Sequence, residues 1–499
     1  IGSGLVGSEM CIRDSDYTIQ KDSRYYNPLS SAGPKSGSDA QTAKGFIEYG
    51  KLISSTSLNY VRTFARKHHL DVLAAYEIES YQTDHASGEK SKLPSDKLTE
   101  PDNAAVLNSF KSATQAYRMI SYLSRLNYDY DDRYYIAGSY RRDGSSRLSP
   151  NNRWGNFWSV SGMWHLGNEN FMKAVKPVLS DVKIRASYGV NGNQPGSYYG
   201  YKGLYSYGEN YMEAAGSYES AQPNDLLTWE KNYSLNLGID LSFINRIFAS
   251  LEYYNRDTKD LLYSLPISAT TGFTSYLSNI GRLNNKGVEF ELRTLNVVSN
   301  DFNWTSVFNL SHNRNKIVSL NGLLDQTIEG TWFIHKVGLP YHTFYVKEFA
   351  GVDPLTGSAQ YYLNTKNEDG SYNRELTTDA AKAESIPYKT ATPKVSGGFT
   401  NILNYKWIDL TFTLTYSLGG YSFDKLGTYI ENGSSSIYSS RYNLPAYMMN
   451  RWQKPGDQTD IPRFVYGEPA TSTNSSRYIH STDPVSYTHL RAHETGAYL

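Results

Sequence analysis

The sequence predicts an all-β fold, an antiparallel transmembrane β-barrel, and three observations support this fold class. Apolar and polar residues alternate strictly along several segments, as they do in strands with one apolar and one polar face. These segments reach about nine to eleven residues, whereas strands of globular proteins average about five or six. Short connections alternate with long ones, which is the arrangement of an up-and-down barrel with short periplasmic turns and long extracellular loops.

The clearest alternation occurs in WIDLTFTLTYSLGG and in NYSLNLGIDLSF. At about 3.3 Å per residue and a tilt near ~40°, eleven residues climb roughly 27 Å, close to the apolar band of an outer-membrane barrel. We therefore predict that the apolar positions face lipid. These positions are Ile408, Leu410, Phe412, Leu414, Leu235, Leu237, Ile239 and Leu241. The polar positions predicted to face the lumen include Lys183, Arg185, Glu289, Glu291, Arg293 and Asp409.

The connections between the predicted strands fall into two classes. Tight turns are predicted near residues 66–69, 129–132, 245, 299–301 and 404–406, and long loops at 143–156, 191–231, 255–286 and 312–392. Loops of this length are uncommon inside a compact soluble domain. Trp304 and Trp407 lie near the tight turns, where tryptophan can occupy the level of the lipid headgroups. The link 167–180 is a medium-length exception that we expect to hold a helical turn.

Composition excludes several classes of protein. Lys plus Arg and Asp plus Glu both number 49, so no net charge favours binding to nucleic acid. No stretch approaches the roughly 18 consecutive apolar residues of a membrane-spanning helix. The single cysteine, Cys11, excludes a disulfide framework. Taken one at a time, the alternating strands also fit a soluble sandwich, in which a second sheet covers the apolar face.

One loop segment, SYYGYKGLYSYGENYMEAAGSY, is rich in tyrosine and contains the candidate contact residues. These are Tyr198, Tyr199, Tyr201, Tyr205, Tyr207 and Tyr211. Their aromatic faces could stack against sugar rings or peptide side chains of a substrate or partner. The alternative is a loop that packs upon itself and upon neighbouring loops.

No pattern of residues predicts a catalytic, cofactor or metal site. The segment TKNEDGSYNREL resembles a calcium loop, but Thr365 and Leu376 occupy positions where an EF-hand needs carboxylates. It is therefore predicted to be a turn. Paired carboxylates, Ser/His/Asp sets and Cys/His sets with catalytic spacing are not found in the sequence, so we do not expect an enzyme.

Both ends of the chain differ from the patterned sequence between them. Residues 1–15 and 484–499 resemble translated sequencing-adapter sequence, so they are not predicted to belong to the native fold. This exclusion removes a lone G-x-G-x-x-G match at the start and a His/Glu cluster at the end as candidate motifs. The predicted native segment is 16–483.

Several longer motifs carry a family resemblance. They are YRRDGSSRLSPNNRWGNFWSVSGMWHLGNENFM (140–172), KIRASYGVNGNQ (183–194), WEKNYSLNLGID (229–240), GFTSYLSNIGRLNNKGVEFEL (272–292), PKVSGGFTN (393–401) and NRWQKPGDQTDIPR (450–463). Together, in this order, they resemble the SusC/RagA family of TonB-dependent outer-membrane transporters of Bacteroidota. Leu148 and Trp158 depart from the usual Phe and Pro of that family.

The resemblance implies a β-barrel that imports oligomeric nutrients, glycans or peptides, across the outer membrane. It also implies a SusD-like surface lipoprotein over the loops and TonB acting through a plug domain. The plug and the last barrel strands are not expected in this sequence, which shows about twelve strands against roughly 22 in plugged transporters. The chain is accordingly expected to be an incomplete barrel. A passive porin and a secreted soluble carbohydrate-binding β-protein remain the alternatives, and the sequence does not name the substrate.

Overall fold

The computed structural model describes residues 7–27, 40–95, 97–212, 214–320, 326–329, 332–431, 444–465, 471–483 and 486–494, with the backbone alone at 7–13, 327–329 and 486–494. The strands are β1 (Gly7–Tyr26), β2 (Gln41–Phe64), β3 (His68–Ser91), β4 (Val106–Tyr130), β5 (Tyr134–Ser145), β6 (Trp154–His165), β7 (Leu179–Asn193), β8 (Leu204–Tyr211), β9 (Ala214–Ala221), β10 (Glu230–Phe243), β11 (Ile247–Lys259), β12 (Leu262–Pro266), β13 (Ser275–Asn279), β14 (Arg282–Val298), β15 (Phe302–Ser319), β16 (Gln326–Glu329), β17 (Phe333–Lys336), β18 (Thr343–Lys347), β19 (Phe349–Val352), β20 (Ala359–Tyr362), β21 (Leu376–Thr377), β22 (Ser385–Thr390), β23 (Val395–Tyr405), β24 (Ile408–Leu418), β25 (Tyr421–Phe423), β26 (Ile479–Ser481) and β27 (Ser486–Glu494).

Helical structure is sparse in the described residues. The one α-helix among them, α1, covers Gly427–Ile430. Short 3₁₀-helices lie at Pro101–Asn103, Leu166–Asn168, Asn170–Ala174, Ala269–Thr271, Ala446–Asn450 and Ser476–Tyr478. Two of these occupy the link 167–180, so the predicted helical turn is confirmed. None of the helices in the described part of the chain has the length and apolar character needed to cross a membrane.

The main sheet contains fourteen of the described strands, in the order β1-β2-β3-β4-β5-β6-β7-β10-β11-β14-β15-β23-β24-β27. The pairings between β1 and β6 and those from β14 to β24 are antiparallel with defined registers. The large antiparallel sheet predicted from the sequence is therefore confirmed, with two strands more than the twelve or so expected. Smaller sheets form within the long loops, such as the β8–β9 hairpin and the four-stranded sheet β16-β17-β18-β22.

Two additional segments of the sheet come from the ends of the chain. Residues 7–15 lie in β1, which pairs with β2, and residues 486–494 form β27, which pairs with β24. The adapter origin of these ends stays a prediction, because strand pairing does not reveal the origin of a sequence. Residues 1–6, 484–485 and 495–499 lie outside the described residues.

The predicted tight turns are confirmed, and their backbone explains their shape. Two consecutive residues have positive φ in three of them: Ala65 and Arg66, Asp131 and Asp132, and Ile244 and Asn245. Two such residues are the signature of a type I′ turn, whose twist matches that of the strands on either side. None of the three turns has the usual Asn-Gly or Asp-Gly pair, so they are predictable only from the strands that flank them.

Several strands extend far beyond the predicted segments. The alternation seen at 70–78 lies in β3, which has 24 residues. Such a strand climbs roughly 60 Å at the usual rise and tilt, more than twice the ~25 Å apolar band. The pattern ends early because Ser80, Gln82 and Asp84 replace apolar residues on the face that carries Tyr76 and Ile78. Only the part of the strand with an apolar face can be recognised by periodicity.

The chain divides into two compact units. The first contains Ile1–Trp164, Ser187–Tyr233 and Lys259–Ile280. Its core is formed by Leu148, Phe157, Val190, Leu227 and Trp229. Phe157 and Trp229 pack edge to face, with ring centroids 5.3 Å apart. Leu148, which departs from the family pattern, is completely buried here, so the apolar role of the position is kept.

The second unit contains His165–Ala186, Ser234–Thr258 and Gly281–Leu499. Two small cores in this unit contain residues of its long loop 312–392. One consists of Phe344, Val346 and Ile479, and the other of Ala359, Tyr361 and Ala383. The segment 312–392 is therefore a folded insertion with small sheets of its own, rather than an irregular loop.

Candidate functional site

The apolar face of the sheet is continuous across β14, β15, β23 and β24. Directly opposite residues of antiparallel strands share a face, and Leu414 pairs with Phe399, which pairs with Phe308. Phe308 lies 6.3 Å from the ring of Phe290 and 6.4 Å from that of Tyr416. The face therefore carries a ladder of apolar and aromatic side chains four strands wide.

The eight side chains predicted to face lipid lie half-buried or exposed in the structure. Ile408 is 39% and Leu237 is 45% exposed. The other six are half-buried, namely Leu410, Phe412, Leu414, Leu235, Ile239 and Leu241. Their exposure leaves this face available to lipid, and the lipid contact itself stays a prediction. Trp304 and Trp407, at the turns, are also exposed.

The opposite face is polar and carries an ion-pair network. Between β14 and β15, Glu289 lies opposite Ser311, Glu291 opposite Asn309 and Arg293 opposite Val307. Between β23 and β24, Thr400 lies opposite Thr413. The Asp409 carboxylate accepts a hydrogen bond from Asn404 at 2.5 Å. Because Asp409 shares its parity with Thr413, it lies on this same face.

Two further residues predicted to face the lumen lie on β7. Arg185 donates to Asp240 at 3.2 Å and contacts Glu252 at 2.9 Å, on β10 and β11. Lys183 lies 3.5 Å from Asp181. Each guanidinium or ammonium group is thus paired with a carboxylate on its own or a neighbouring strand.

The family motif YRRDGSSR ends β5 and forms a polar cluster within the first unit. The Arg141 guanidinium donates to Asp143 at 2.7 Å, to Glu77 at 3.2 Å and to the Ser121 hydroxyl at 2.9 Å. These bonds link β3, β4 and β5 side by side. Asp143 and Ser121 are buried, and a buried carboxylate requires such partners.

Arg147, later in the same motif, fixes the base of the tyrosine-rich loop. Its guanidinium lies 3.9 Å from the ring centroid of Tyr117 and 4.6 Å from that of Tyr198. It also donates to the carbonyls of Pro195 and Gly196, at 3.0 and 3.3 Å. The motif therefore acts as an anchor for the loop, a role that its sequence alone did not indicate.

The candidate tyrosines divide into two groups, and the first group packs inward. Tyr198 stacks on Tyr117 with ring centroids 5.6 Å apart. The Tyr199 hydroxyl accepts a hydrogen bond from the backbone N–H of Ala116 at 3.2 Å. Tyr201 packs against the core of the first unit. For these three residues the structural alternative, a loop packing on its neighbours, is the better description.

The second group lies on the β8–β9 hairpin and faces solvent. Tyr205, Tyr207 and Tyr211 are 55%, 76% and 78% exposed. Sequence reasoning treated all six tyrosines alike, and it did not single out Tyr218, which is exposed on β9. The two groups differ in local structure. Tyr198, Tyr199 and Tyr201 lie in the loop before Gly203, whereas Tyr205, Tyr207 and Tyr211 lie after it, on β8.

Two sequence-distant motifs meet in the second unit. The Trp452 indole donates to the Pro354 carbonyl at 3.0 Å, and its ring lies where a Cβ on Gly357 would be, with a carbon 2.3 Å away. Gly357 also has φ +73°. Residues 353–357 (DPLTG) therefore form a turn, and the NRWQKPGDQTDIPR segment covers it.

The calcium-like segment forms a hairpin turn stabilised by an ion pair. Asp369 accepts hydrogen bonds from the Ser371 N–H and hydroxyl. Beside it, Arg374 donates to both carboxylate oxygens of Glu348, at 2.6 and 3.0 Å. This guanidinium holds the pKa of Glu348 below its ordinary value, against the opposing effect of burial. The prediction of a turn is confirmed.

One group of side chains in the described residues has the composition of a metal site. His69, Asp129 and Asp132 bring one ligand atom each to within 4.8 Å of one another at the tight turns. Lys67 and Arg133 both lie 3.5 Å from Asp131 in the same turns. These cations reduce the attraction for a metal ion, and the His69 side chain is bonded to Thr63 at 2.8 Å.

Comparison with known proteins gives consistent results. A family model described as "TonB dependent receptor-like, beta-barrel" matches residues 11–380. TonB-dependent receptor P3 of Formosa agariphila is 31% identical over 450 residues, which cover 86% of this chain and 44% of the relative. TonB-dependent receptor SusC of Bacteroides thetaiotaomicron is 32% identical over 384 residues, covering 71% and 37%.

Among solved structures, that of the RagAB peptide transporter superposes with a TM-score of 0.82 at 26% identity, covering 96% of this chain and 52% of that one. The chain spans less than half the length of the two relatives named above. The matched residues include most of the main sheet and the motifs that anchor its loops. The chain therefore belongs to the TonB-dependent receptor β-barrel family of the outer membrane, on its SusC/RagA branch.

Proposed function

We propose that the protein to which this chain belongs actively imports oligomeric nutrients, glycans or peptides, across the outer membrane. In this proposal TonB provides the energy coupling, and a SusD-like lipoprotein covers the loops. The present residues supply the wall of the barrel and the loops above it. Substrate handling rather than covalent chemistry is their role.

The observation that carries this proposal is the register of β14, β15, β23 and β24. It places most apolar and aromatic side chains on one face, with Asn401 as an exception, and most hydroxyl, amide and charged side chains on the other, with Val307 as an exception. Such a sheet needs an apolar medium on one side and a hydrated space on the other, which a membrane and a lumen provide. The paired charges of Arg185 and Lys183 suit a hydrated lumen.

The similar proteins support the proposed cargo classes and the proposed partner. The SusC relative belongs to the same branch, and the similar RagAB structure is titled a peptide transporter. The anchored loops add physical support, since a lid needs a firm surface on which to close. We infer that the same architecture serves this protein.

The test is an uptake experiment with the gene that contains this chain and its neighbouring SusD-like gene. Cells carrying both would be given fluorescent oligosaccharides or oligopeptides, with and without a protonophore and with and without tonB. We expect accumulation that requires tonB and the proton gradient. Uptake that is unaffected by both would indicate a passive porin and would refute active import.

A further inference from the structure

The β8–β9 hairpin, Leu204–Ala221, which we name the tyrosine hairpin, presents an unusual surface. Tyr207 and Tyr211 are 76% and 78% exposed, and Tyr205 and Tyr218 are 55% and 52% exposed. The hairpin forms a separate two-stranded sheet. Aromatic rings usually supply a large part of the buried area of a protein. A group of them on an exposed hairpin indicates an interaction surface.

The charge of the hairpin restricts what can bind there. The segment 204–221 contains Glu209, Glu213 and Glu219 and no Lys, Arg or His. The Tyr205 hydroxyl donates to the Glu219 carboxylate at 3.0 Å, and these two residues are directly paired in the register. Tyr207 follows two residues later on the same face. One face therefore combines two tyrosine rings with a carboxylate.

The preceding part of the same loop shows how its tyrosines interact with cations. The Lys202 ammonium lies 5.5 Å from the ring centroid of Tyr199 and 5.7 Å from that of Tyr201. The Arg147 guanidinium lies against Tyr198, as described above. These are cation–π contacts within the distance at which the ring quadrupole attracts a positive charge. On the tyrosine hairpin, the same ring type faces solvent beside carboxylates.

We propose that the tyrosine hairpin binds lysine or arginine side chains of a peptide, with the cation over Tyr205 and Tyr207 and Glu219 as its counter-ion. This inference rests on the proposed function and names basic peptides as a cargo class. A neutral glycan is a poorer match. It gains nothing from the acidic side chains of the hairpin, whereas an ammonium or guanidinium group gains from both the rings and the carboxylate.

The experiment measures binding to the purified full chain in detergent by fluorescence anisotropy. The labelled probes are an alternating Gly-Lys octapeptide, an alternating Gly-Glu octapeptide and maltohexaose. We expect the Gly-Lys peptide to bind most tightly and to weaken as salt rises. Tyr207→Leu and Glu219→Gln should each weaken its binding about three- to five-fold, as expected for one exposed cation–π or ionic contact.

Two variants serve as controls for this experiment. Tyr207→Phe keeps the ring and should bind the Gly-Lys peptide as the parent chain does. Tyr372→Leu removes a tyrosine exposed elsewhere in the chain and should also have no effect. Circular dichroism checks that every variant keeps its strand content.

Equal affinity for the two peptides, or equal binding by Tyr207→Leu and the parent chain, would overturn the proposal. So would tighter binding of maltohexaose that Tyr207→Leu weakens, since this would identify a glycan surface. Any of these results would leave energy-dependent uptake intact, because uptake is measured separately in cells. Conversely, a passive uptake result would not alter the binding measured here.

Discussion

A charge placed on either face of β24 should have very different effects on stability. We compare Phe412→Arg with Thr413→Arg, two neighbouring residues that point to opposite faces. Phe412 lies in register with Asn401 of β23, on the face that carries Leu410 and Leu414. Thr413 lies on the polar face, where its hydroxyl is 3.1 Å from that of Thr400.

The expected magnitude follows from the depth of Phe412. It comes five residues after Trp407, at the turn, so it lies roughly 13 Å above that turn at the usual rise and tilt. This is near the middle of an apolar band about 25 Å thick, where arginine facing lipid costs about 2–4 kcal/mol. Thr413→Arg loses one hydroxyl contact and should cost about 1 kcal/mol.

The assay is urea-induced unfolding of the full receptor from lipid vesicles, followed by tryptophan fluorescence. The free energies of unfolding of the two variants should differ by about 1–3 kcal/mol. Leu237→Arg and Asn236→Arg form a second pair on β10, with a smaller difference because Leu237 lies nearer the upper edge of the band. Equal losses in both pairs, or a larger loss for Thr413→Arg, would show that lipid does not cover the apolar face.

Three further predictions concern the loops. Arg147→Met should free the loop base and raise its rate of cleavage by a nonspecific protease several-fold, with stability lowered by about 1–3 kcal/mol because a charge-assisted hydrogen bond is lost. Gly357→Ala should destabilise its turn by more than about 2 kcal/mol, whereas Gly370→Ala, also at positive φ but in open space, should cost about 1 kcal/mol in denaturant unfolding. The bond from Arg374 lowers the folded-state pKa of Glu348, so its contribution is present above the unfolded-state pKa and is lost as pH falls through the lowered value. The protection of amides around this pair, measured by hydrogen exchange relative to the intrinsic exchange rate at each pH, should therefore fall as the pH is lowered from 7 to below the ordinary glutamate pKa, and Glu348→Gln should remove that dependence.

The sheet was predictable from the sequence wherever one face is apolar. The alternation of β24 and β10 reports directly on which side each residue points, so their strands and the turns beside them were found. β3 shows the limit of this method. Beyond Ile78 both of its faces are polar, and periodicity then carries no signal although backbone pairing continues to Ser91.

The glycines in the family motifs were seen only as part of a resemblance, and the structure supplies their physical role. A Cβ on Gly287 would lie 2.6 Å from the Tyr254 hydroxyl, and one on Gly397 would lie 2.3 Å from that of Tyr416. In both places a tyrosine of a neighbouring strand crosses the glycine and donates a hydrogen bond beyond it, to Asn313 and to the Asn309 carbonyl. Single-sequence patterns cannot reveal such a pair, because its members are far apart along the chain.

The candidate site was predictable as a segment but not as a surface. Tyr198 and Tyr207 occur in the same run of residues, yet one lies against Arg147 and the other faces solvent. Which ring is free depends on the anchor supplied by the motif some fifty residues earlier and on the register of the hairpin. Both are tertiary features.

The anchoring of the loop also bears on how it would bind a ligand. Arg147 fixes the loop before the tyrosine hairpin, and after it the Trp229 indole donates to the Arg153 carbonyl at 2.9 Å. Asn279 donates to Thr228 and accepts from it, at 3.0 and 2.7 Å. A hairpin held at both ends loses less conformational freedom on binding than a free loop does. A larger part of the free energy of each contact therefore contributes to affinity. Loosening the base with Arg147→Met should therefore weaken binding of the Gly-Lys peptide without altering any residue that touches it, and an unchanged affinity would show that the hairpin is ordered by its own strands alone.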